Sequence, residues 1–404
     1  MKYRTPSAGT PVSFSDILGG LVSSFAQPIT TFEKVIKTYT NKKYCFFINS
    51  GTTAFYIILK ALKTFSVKTE VILPAYTAPS LILPIKKAGL KPVLCDISLN
   101  TFNMDIPSLA KHINGNTLCI VPVHMFGLPV DMPAIGEIAH RHSLFVVEDA
   151  ASSLGTTLGP HPTGTLGDIG FYSFNRGKNL STLSGGCIVT DRDDIAKAIE
   201  SQCLSLQKLA LPSEIKIAVK LIALAIAVRP IFYTLLYNFI SKLKYTTLHT
   251  DFDCFSYTKF QAGVGCKLFD HAAGIFNKRY DHTLFLFDML GKSQGIRLPE
   301  LLPQTVPVLN QFPILFDDEN TKEHLFNRIN EAGIETTKLY PEPIHRVYNL
   351  YDLKKDPFPN ATYFSRHLLL IPTHPIITIE KLSIITNIIK KCLEGYKDVP
   401  AHPP

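Results

Sequence analysis

Short apolar runs that alternate with helical segments constrain the fold of this chain more than any other feature. Strands that alternate with helices usually pair in parallel, because each crossover helix returns the chain to the same edge of the sheet. We therefore expect a largely parallel α/β sheet, and we expect residues 14–38 to form a helix ahead of it. The strands predicted here are Tyr44–Ile48, Glu70–Leu73, Pro92–Cys95, Thr117–Pro122, Leu144–Val147 and Cys187–Thr190.

A polar loop near the middle of the chain carries a lysine in the surroundings of a reactive amine. Lys178 lies within Phe171–Gly186, among serine, asparagine, glycine and aromatic residues, and a Gly-Gly pair follows it. An amine attacks a carbonyl only when it is deprotonated, and partial burial lowers the pKa of a lysine toward that state. A lysine of this kind, taken alone, is more often an ordinary surface residue.

An acidic residue upstream favours the reactive interpretation. Asp149 ends the apolar run Ser143–Asp149, and ligands of open α/β sheets bind outside the carboxyl ends of the strands. Pyridoxal phosphate enzymes need this pair: the lysine holds the cofactor as a Schiff base, and the carboxylate keeps the pyridine nitrogen protonated. The alternative is that Asp149 caps a helix that begins at Ala150.

A second strand ends in a turn that is typical of phosphate sites. Tyr44–Ile48 runs into Asn49, Ser50, Gly51, Thr52 and Thr53, and a helix over Ala54–Leu62 follows. This arrangement directs backbone N–H groups and the positive end of a helix dipole at an anion. An ordinary capped helix start explains the same pattern.

The composition narrows the class of partner. The net charge is +8 without a long Lys/Arg block, which argues against nucleic acid and suits an anionic small substrate. The eight cysteines form no C-x-x-C pair and no cluster with histidine, so we expect no zinc site, no disulfide framework and a reducing compartment. Residues 1–11 lack an apolar signal segment, so we expect a cytoplasmic protein.

Five sequence blocks resemble the DegT/DnrJ/EryC1/StrS family of sugar aminotransferases, in the order of that family. The blocks are NSGTTAFYIILKAL, VILPAYTAPSLILPIKKAGLKPVLCDI, VPVHMFGLPVDMPAI, FVVEDAASSLG and GTLGDIGFYSFNRGKNLSTLSGGCIVT. The later segments GIETTKLYPEPIHRVY and LLLIPTHPIIT are similar to its closing blocks. The similarity runs from about Ser13 to Leu393.

The resemblance implies a fold-type I pyridoxal phosphate transferase. Its large domain would hold a mixed, mostly parallel seven-stranded sheet and would span residues 1–255, with an apolar helical insertion at about 205–250. A smaller C-terminal α/β domain would span residues 256–404. In that domain the sequence predicts helices at Phe260–Phe276, Arg279–Leu290 and Tyr363–Leu370.

The resemblance also implies residue roles. Lys178 would bind pyridoxal 5'-phosphate and transfer protons, and Asp149 would pair with the ring nitrogen. Gly51, Thr52 and Ser173 would hold the phosphate, whereas Tyr340 and His345 would line the sugar site. The family implies a homodimer that moves an amino group from L-glutamate to a keto-sugar, nucleotide-linked or a sugar acid, for envelope glycans such as lipopolysaccharide.

Two departures from the family pattern concern the cofactor ring. Ala78 stands where the family usually has an aromatic residue, so Tyr76 or another group must cover that ring face. Ser152 stands where Gln or His is common, and it makes only a shorter contact. The alternatives are a deoxysugar dehydratase, which retention of Lys178 argues against, and a non-catalytic family member.

The apolar segment 215–241 has two interpretations. Leu221–Val228 and Ile231–Ile240 flank Arg229 and Pro230, and neither half reaches the roughly 18–20 residues that span a bilayer. We expect two short helices, because Pro230 interrupts a continuous one. They would pack on the dimer partner or over the active site, or they would lie on a membrane surface with Lys216, Lys220, Lys242 and Lys244 near the head groups.

Overall fold

A central sheet of seven strands organises the computed structural model, which describes residues 3–240, 250–351 and 355–395. The strands of the molecule are β1 (Tyr44–Ile48), β2 (Glu70–Pro74), β3 (Lys91–Cys95), β4 (Thr117–Ile120), β5 (Phe145–Asp149), β6 (Thr157–Leu158), β7 (His161–Pro162), β8 (Ile169–Ser173), β9 (Gly186–Thr190), β10 (Ile296–Arg297), β11 (Thr305–Val306), β12 (Gln311–Phe316) and β13 (Leu368–Pro372).

The central sheet has the order β1-β9-β8-β5-β4-β2-β3. Strands β8, β5, β4, β2 and β3 run parallel, and β9 runs antiparallel to both β8 and β1. The predicted mixed, mostly parallel seven-stranded sheet is confirmed. Because β5 and β8 are parallel neighbours, with Asp149 opposite Phe171, the ends of these strands lie side by side at one edge.

Helices cover the sheets. They are α1 (Phe14–Ser23), α2 (Pro28–Thr40), α3 (Gly51–Leu62), α4 (Ile82–Lys87), α5 (Ile106–His112), α6 (Met132–His142), α7 (Asp193–Leu204), α8 (Leu211–Ala227), α9 (Pro230–Ile240), α10 (Lys259–Asp270), α11 (Ala272–Leu290), α12 (Glu319–Glu331), α13 (Ile344–Val347), α14 (Pro359–His367) and α15 (Ile379–Gly395).

A smaller sheet of β10, β12 and β13 forms the C-terminal α/β part, as expected. Its strands pair antiparallel, and β12 and β13 are buried along their whole length. Helix α10 follows the predicted boundary at residue 255, but it packs on α1 of the large domain. The contact is close: a Cβ on Gly20 would come within 2.4 Å of the Val264 side chain. The position of the boundary remains a prediction.

Several predicted helices were wrong in their bounds. The helix expected over residues 14–38 is two helices, because Pro28 begins α2 and a proline cannot continue the turn before it. The break between α10 and α11 falls at His271, where neither proline nor glycine marks it. Leu368–Leu370 belongs to strand β13, because a continuous apolar run fits a buried strand as well as a helix.

The apolar segment forms two helices, as predicted, with Pro230 at the first position of α9. Lys242, Lys244 and the expected disordered tail at residues 397–404 lie outside the described residues. In the part of the chain that the structure describes, no helix combines the length and apolarity needed to cross a membrane.

The fully buried His374, which follows strand β13, links the N-terminal segment to the C-terminal sheet. The His374 Nε2–H donates to the Pro6 carbonyl at 2.8 Å, so Nδ1 is unprotonated, and Nδ1 has no partner among the described residues. Burial lowers the pKa of His374 from its usual 6.5 to about 3. The unfolded chain therefore binds one more proton than the native protein between these two values, and stability falls as the pH falls through this range.

We predict that His374→Gln flattens this pH dependence. The His374 contribution alone should lower the native protein's free energy of unfolding by about 2 kcal/mol between pH 7 and pH 5, and the variant should lack that part of the decrease. Urea unfolding at the two pH values measures it. His140→Gln, on an exposed position of α6, is the matched control. Equal pH slopes for native protein and His374→Gln would contradict the prediction.

Candidate active site

The loop between β8 and β9, residues 174–185, is called the lysine loop here. The Phe174 N–H donates to the Gly185 carbonyl at 2.8 Å, and the Thr182 N–H donates to the Phe174 carbonyl at 3.0 Å. Gly185 has φ +134°, and a Cβ there would lie 2.5 Å from the Tyr257 ring. The Thr10 hydroxyl donates to the Lys178 carbonyl at 2.8 Å. These bonds hold both ends and the middle of the loop against the sheet edge.

The Lys178 amine is half-buried and points toward the end of β5. Its Nζ donates to Ser152 Oγ at 2.8 Å. Burial lowers the pKa of the amine, and the Asp149 carboxylate acts in the opposite direction. The net shift favours the neutral, nucleophilic form.

Asp149 is buried at the end of β5, with 4% of its surface exposed. Its Oδ1 accepts the Ala151 N–H at 2.9 Å, and residues 150–156 form no helix, so the helix-cap alternative is not realised. Burial raises the pKa of this carboxyl, and the Ala151 N–H, Lys178 and His124 oppose the rise. A cationic ring nitrogen beside it would add to that opposition and keep the group ionised.

Glu148, which precedes Asp149 on β5, forms a buried pair with His124. His124 Nδ1 accepts the Val130 N–H at 3.1 Å, so Nε2 carries the proton and donates to Glu148 Oε2 at 2.9 Å. Glu148 also accepts the backbone N–H groups of Gly164, Leu166 and Gly167. No role for His124 is predicted from the sequence, although its position after β4, at the same edge of the sheet, is a usable signal.

The start of α3 and the end of β8 come together as a candidate phosphate cradle. Ser50 Oγ caps the helix by accepting the Thr53 N–H at 3.0 Å. A Cβ on Gly51 would lie 3.1 Å from Ser173 Cβ and 3.3 Å from Ser173 Oγ, so the absence of a side chain at Gly51 leaves the serine hydroxyl accessible. Thr52 follows in the first turn, where helix N–H groups lack intrahelical acceptors.

Tyr340 and Tyr76 line the same region. Their ring centroids are 5.9 Å apart, and the pKa of Tyr340 is raised first by burial and then by Asp149. The Tyr76 hydroxyl and the Thr77 hydroxyl are buried without a well-aligned hydrogen-bond partner among the described residues, although the Tyr340 backbone lies near the Tyr76 hydroxyl. Such orphaned polar atoms suit a site that a ligand completes.

His345 lies apart from this group. It is fully buried, its ring packs edge-on against Phe358 at 5.1 Å, and Nε2 lies 3.2 Å from Asp356 Oδ1. Burial lowers the pKa of the ring, and Asp356 opposes this. No contact within the described ranges joins His345 to Lys178 or Asp149, so its assignment to the sugar site stays a prediction.

Ala78 offers only a methyl group at the position where the family usually has an aromatic ring. It is partly buried, and its carbonyl accepts the Leu81 N–H at 3.0 Å. The Tyr76 ring packs edge-on against Phe364 at 4.9 Å. The role of Tyr76 as a cover for the ring therefore also stays a prediction.

These residues fit pyridoxal phosphate. A half-buried amine, a buried carboxylate and a helix start with an adjacent serine hydroxyl match the aldehyde, the ring nitrogen and the phosphate of that cofactor. The structure places Lys178, Ser152 and Asp149 together, with Tyr340 and Tyr76 beyond Asp149 and with Gly51 and Ser173 at the same edge.

Comparison with known proteins finds a family and several relatives. The model of the DegT/DnrJ/EryC1/StrS aminotransferase family matches residues 17–216 and 251–390. The GDP-perosamine synthase of Caulobacter vibrioides is 38% identical over 175 residues, which cover 43% of this chain and 47% of that protein. The chain thus spans about half the length of that relative.

Longer matches agree. A UDP-N-acetyl-3-dehydro-alpha-D-glucosamine 3-aminotransferase of Acidithiobacillus ferrooxidans is 25% identical over 357 residues, which cover 86% of this chain and 83% of that protein. The crystal structure of DesV from S. venezuelae in complex with a ketimine intermediate superposes with a TM-score of 0.77 at 23% identity, covering 97% of this chain and 99% of that chain. At this identity the structural match shows the fold.

We predict that Glu148→Gln destabilises the protein by about 3 kcal/mol or more. A glutamine nitrogen cannot accept the N–H groups that now converge on one carboxylate oxygen, and buried donors are left unsatisfied. Urea unfolding measures the loss. Glu137→Gln, an exposed residue on α6, is the control and should change stability by less than about 0.5 kcal/mol. Equal stability of the two variants would show that the buried pair is dispensable.

Proposed function

Because the chain belongs to the DegT/DnrJ/EryC1/StrS aminotransferase family, we propose that it is a pyridoxal phosphate-dependent aminotransferase that moves an amino group from L-glutamate to a keto-sugar. The observation that carries the proposal is the Lys178 amine, whose pKa is lowered by burial and which lies beside Asp149 and Ser152. An amine in this state is both a nucleophile and a proton carrier.

Each residue of the site has a task in this proposal. Lys178 would hold the cofactor covalently, and its amine, once free, would carry the proton at the substrate carbon. Asp149 keeps the ring nitrogen protonated, and Ser152 orients the Lys178 amine. The cofactor, when bound, serves as an electron sink that stabilises negative charge on the substrate carbon.

The anionic parts of cofactor and substrate have candidate positions. Gly51, Thr52 and Ser173 would hold the phosphate at the start of α3, where the helix dipole is favourable. Tyr340, whose hydroxyl senses the Asp149 charge, would contact the sugar, and His345 would line a separate part of the sugar site. The names of the relatives support a nucleotide-linked keto-sugar as acceptor, and the net charge of +8 suits an anionic substrate.

The wider setting is part of the same proposal. We infer a homodimer in the cytoplasm that supplies amino sugars for envelope glycans such as lipopolysaccharide. A reducing compartment is supported by eight free cysteines. Peripheral membrane contact through residues 215–241 is a separate proposal, which does not depend on the reaction.

We predict that Lys178→Ala abolishes the first half-reaction. Glutamate should no longer convert the bound cofactor to its amine form, with a rate loss of at least about a hundredfold, because both the covalent attachment and the proton carrier are gone. Rapid mixing with L-glutamate and absorbance spectroscopy measure this. Lys197→Ala, an exposed lysine on α7, is the control.

A second readout separates the outcomes. Borohydride reduction and peptide mass mapping should find a pyridoxyl adduct on residue 178 of the native protein. If no adduct forms after reconstitution, the chain is a non-catalytic family member. If the adduct forms but glutamate does not convert the cofactor, the reaction is a different one, such as dehydration of a deoxysugar.

A further inference from the structure

Three helices expose an unusual amount of apolar surface. More than half of the exposed large apolar side chains of the described residues lie on α1 through Phe25, on α8 and on α9. Val22 is 72% exposed, Val219 is 60% exposed and Leu235 is 71% exposed. The surface that these helices present to solvent is called the apolar helix face here. A patch of this kind on a folded protein indicates an interaction site.

The exposed side chains form ordered stripes on helices that are already packed on their other side. In α8, Leu221 and Ala225 are buried in one cluster with Ile17 and Val264, while Ile215 and Val219, four residues apart, face solvent. In α9, Ile231 and Leu235 repeat the same spacing. Because one apolar side of α8 already packs within the protein, its second apolar side is available to contact another molecule or surface.

The three helices adjoin one another. Helix α1 contributes Ile17 to the cluster that holds Leu221 of α8. The Arg229 guanidinium, between α8 and α9, lies 5.0 Å from the Phe14 ring centroid. The exposed stripes are therefore carried by three adjacent helices.

The charges around the apolar helix face are mostly positive, and Glu214 in the first turn is the one acidic residue of α8. Lys216 and Lys220 are exposed one turn apart on α8, next to the apolar stripe, and Arg229 is exposed at its end. Asp16 is buried and bonded to Ser13 and His271. The sequence of α9 contains no charged residue. Such a border complements a negatively charged surface.

Most of this region lies outside the part shared with the family. The family model matches residues 17–216 and 251–390, and the interval between them contains most of α8 and all of α9. The family model therefore does not account for the apolar stripes of these two helices.

We propose that the apolar helix face docks on an anionic lipid surface, with its apolar side chains in the headgroup boundary and Lys216 and Lys220 beside lipid phosphates. A second copy of the chain is a poorer occupant. A two-fold interface would set this face against itself, and Lys216, Lys220 and Arg229 would outnumber Glu214, the one acidic residue in the sequences of α8 and α9. The proposal is independent of the aminotransferase activity.

Flotation of the full-length protein, loaded with cofactor, tests the proposal. The protein should float with vesicles of phosphatidylglycerol and phosphatidylcholine in equal parts, and much less with phosphatidylcholine alone. Val22→Asp and Val219→Asp should each weaken binding at least about tenfold, because a valine no longer leaves water. Val67→Asp, at an equally apolar side chain that is 96% exposed outside the three helices, is the matched control and should float like the native protein.

The lysines give a second measurement. Lys216→Gln and Lys220→Gln should each weaken binding to the anionic vesicles by about fivefold and leave the weak binding to phosphatidylcholine unchanged. Analytical ultracentrifugation without lipid accompanies every variant. Absence of flotation by the native protein overturns the proposal, as does equal flotation of Val219→Asp and Val67→Asp. Dissociation of an oligomer by Val22→Asp or Val219→Asp in the absence of lipid would instead assign the face to contact between copies.

Discussion

The electrostatic pairing of Lys178 with Asp149 at the edge of the central sheet is the interaction on which the site depends. Burial acts on both groups against their charged forms, and each charge favours ionisation of the other. The balance leaves an amine that gives up its proton readily and a carboxyl that responds to a cation placed beside it. Neither property belongs to these side chains in water.

The fold holds this pair with backbone bonds and with buried polar groups. Parallel pairing of β5 with β8 sets Asp149 opposite Phe171, so Asp149 and the start of the lysine loop lie at the same edge. Below, the carboxylate of Glu148 gathers three backbone N–H groups and the His124 ring. A buried carboxylate with this many donors fixes the segment after β4, through His124, and the course of residues 164–167 at once.

Much of this arrangement was predictable from the sequence, and the misses have physical causes. The alternation of apolar runs with helices predicts the sheet, and the small polar residues after strands point to Gly51, Asp149 and Lys178. Pattern could not distinguish the buried run Leu368–Leu370 from a helix, since both bury every residue. Nor could it assign His124, whose partner Glu148 lies on the neighbouring strand and is brought near only by folding.

The hydrogen bond from the Thr10 hydroxyl to the Lys178 carbonyl connects the lysine loop to the N-terminal segment of the chain. Two residues further on, Val12 enters the apolar cluster that joins α1 to α8, and Leu183 of the lysine loop packs against that cluster as well. The backbone of Lys178 is thus connected to helices α1 and α8 through residues 10–12. A displacement of those helices would therefore be transmitted to the backbone of Lys178 through Val12, Leu183 and the Thr10 hydrogen bond.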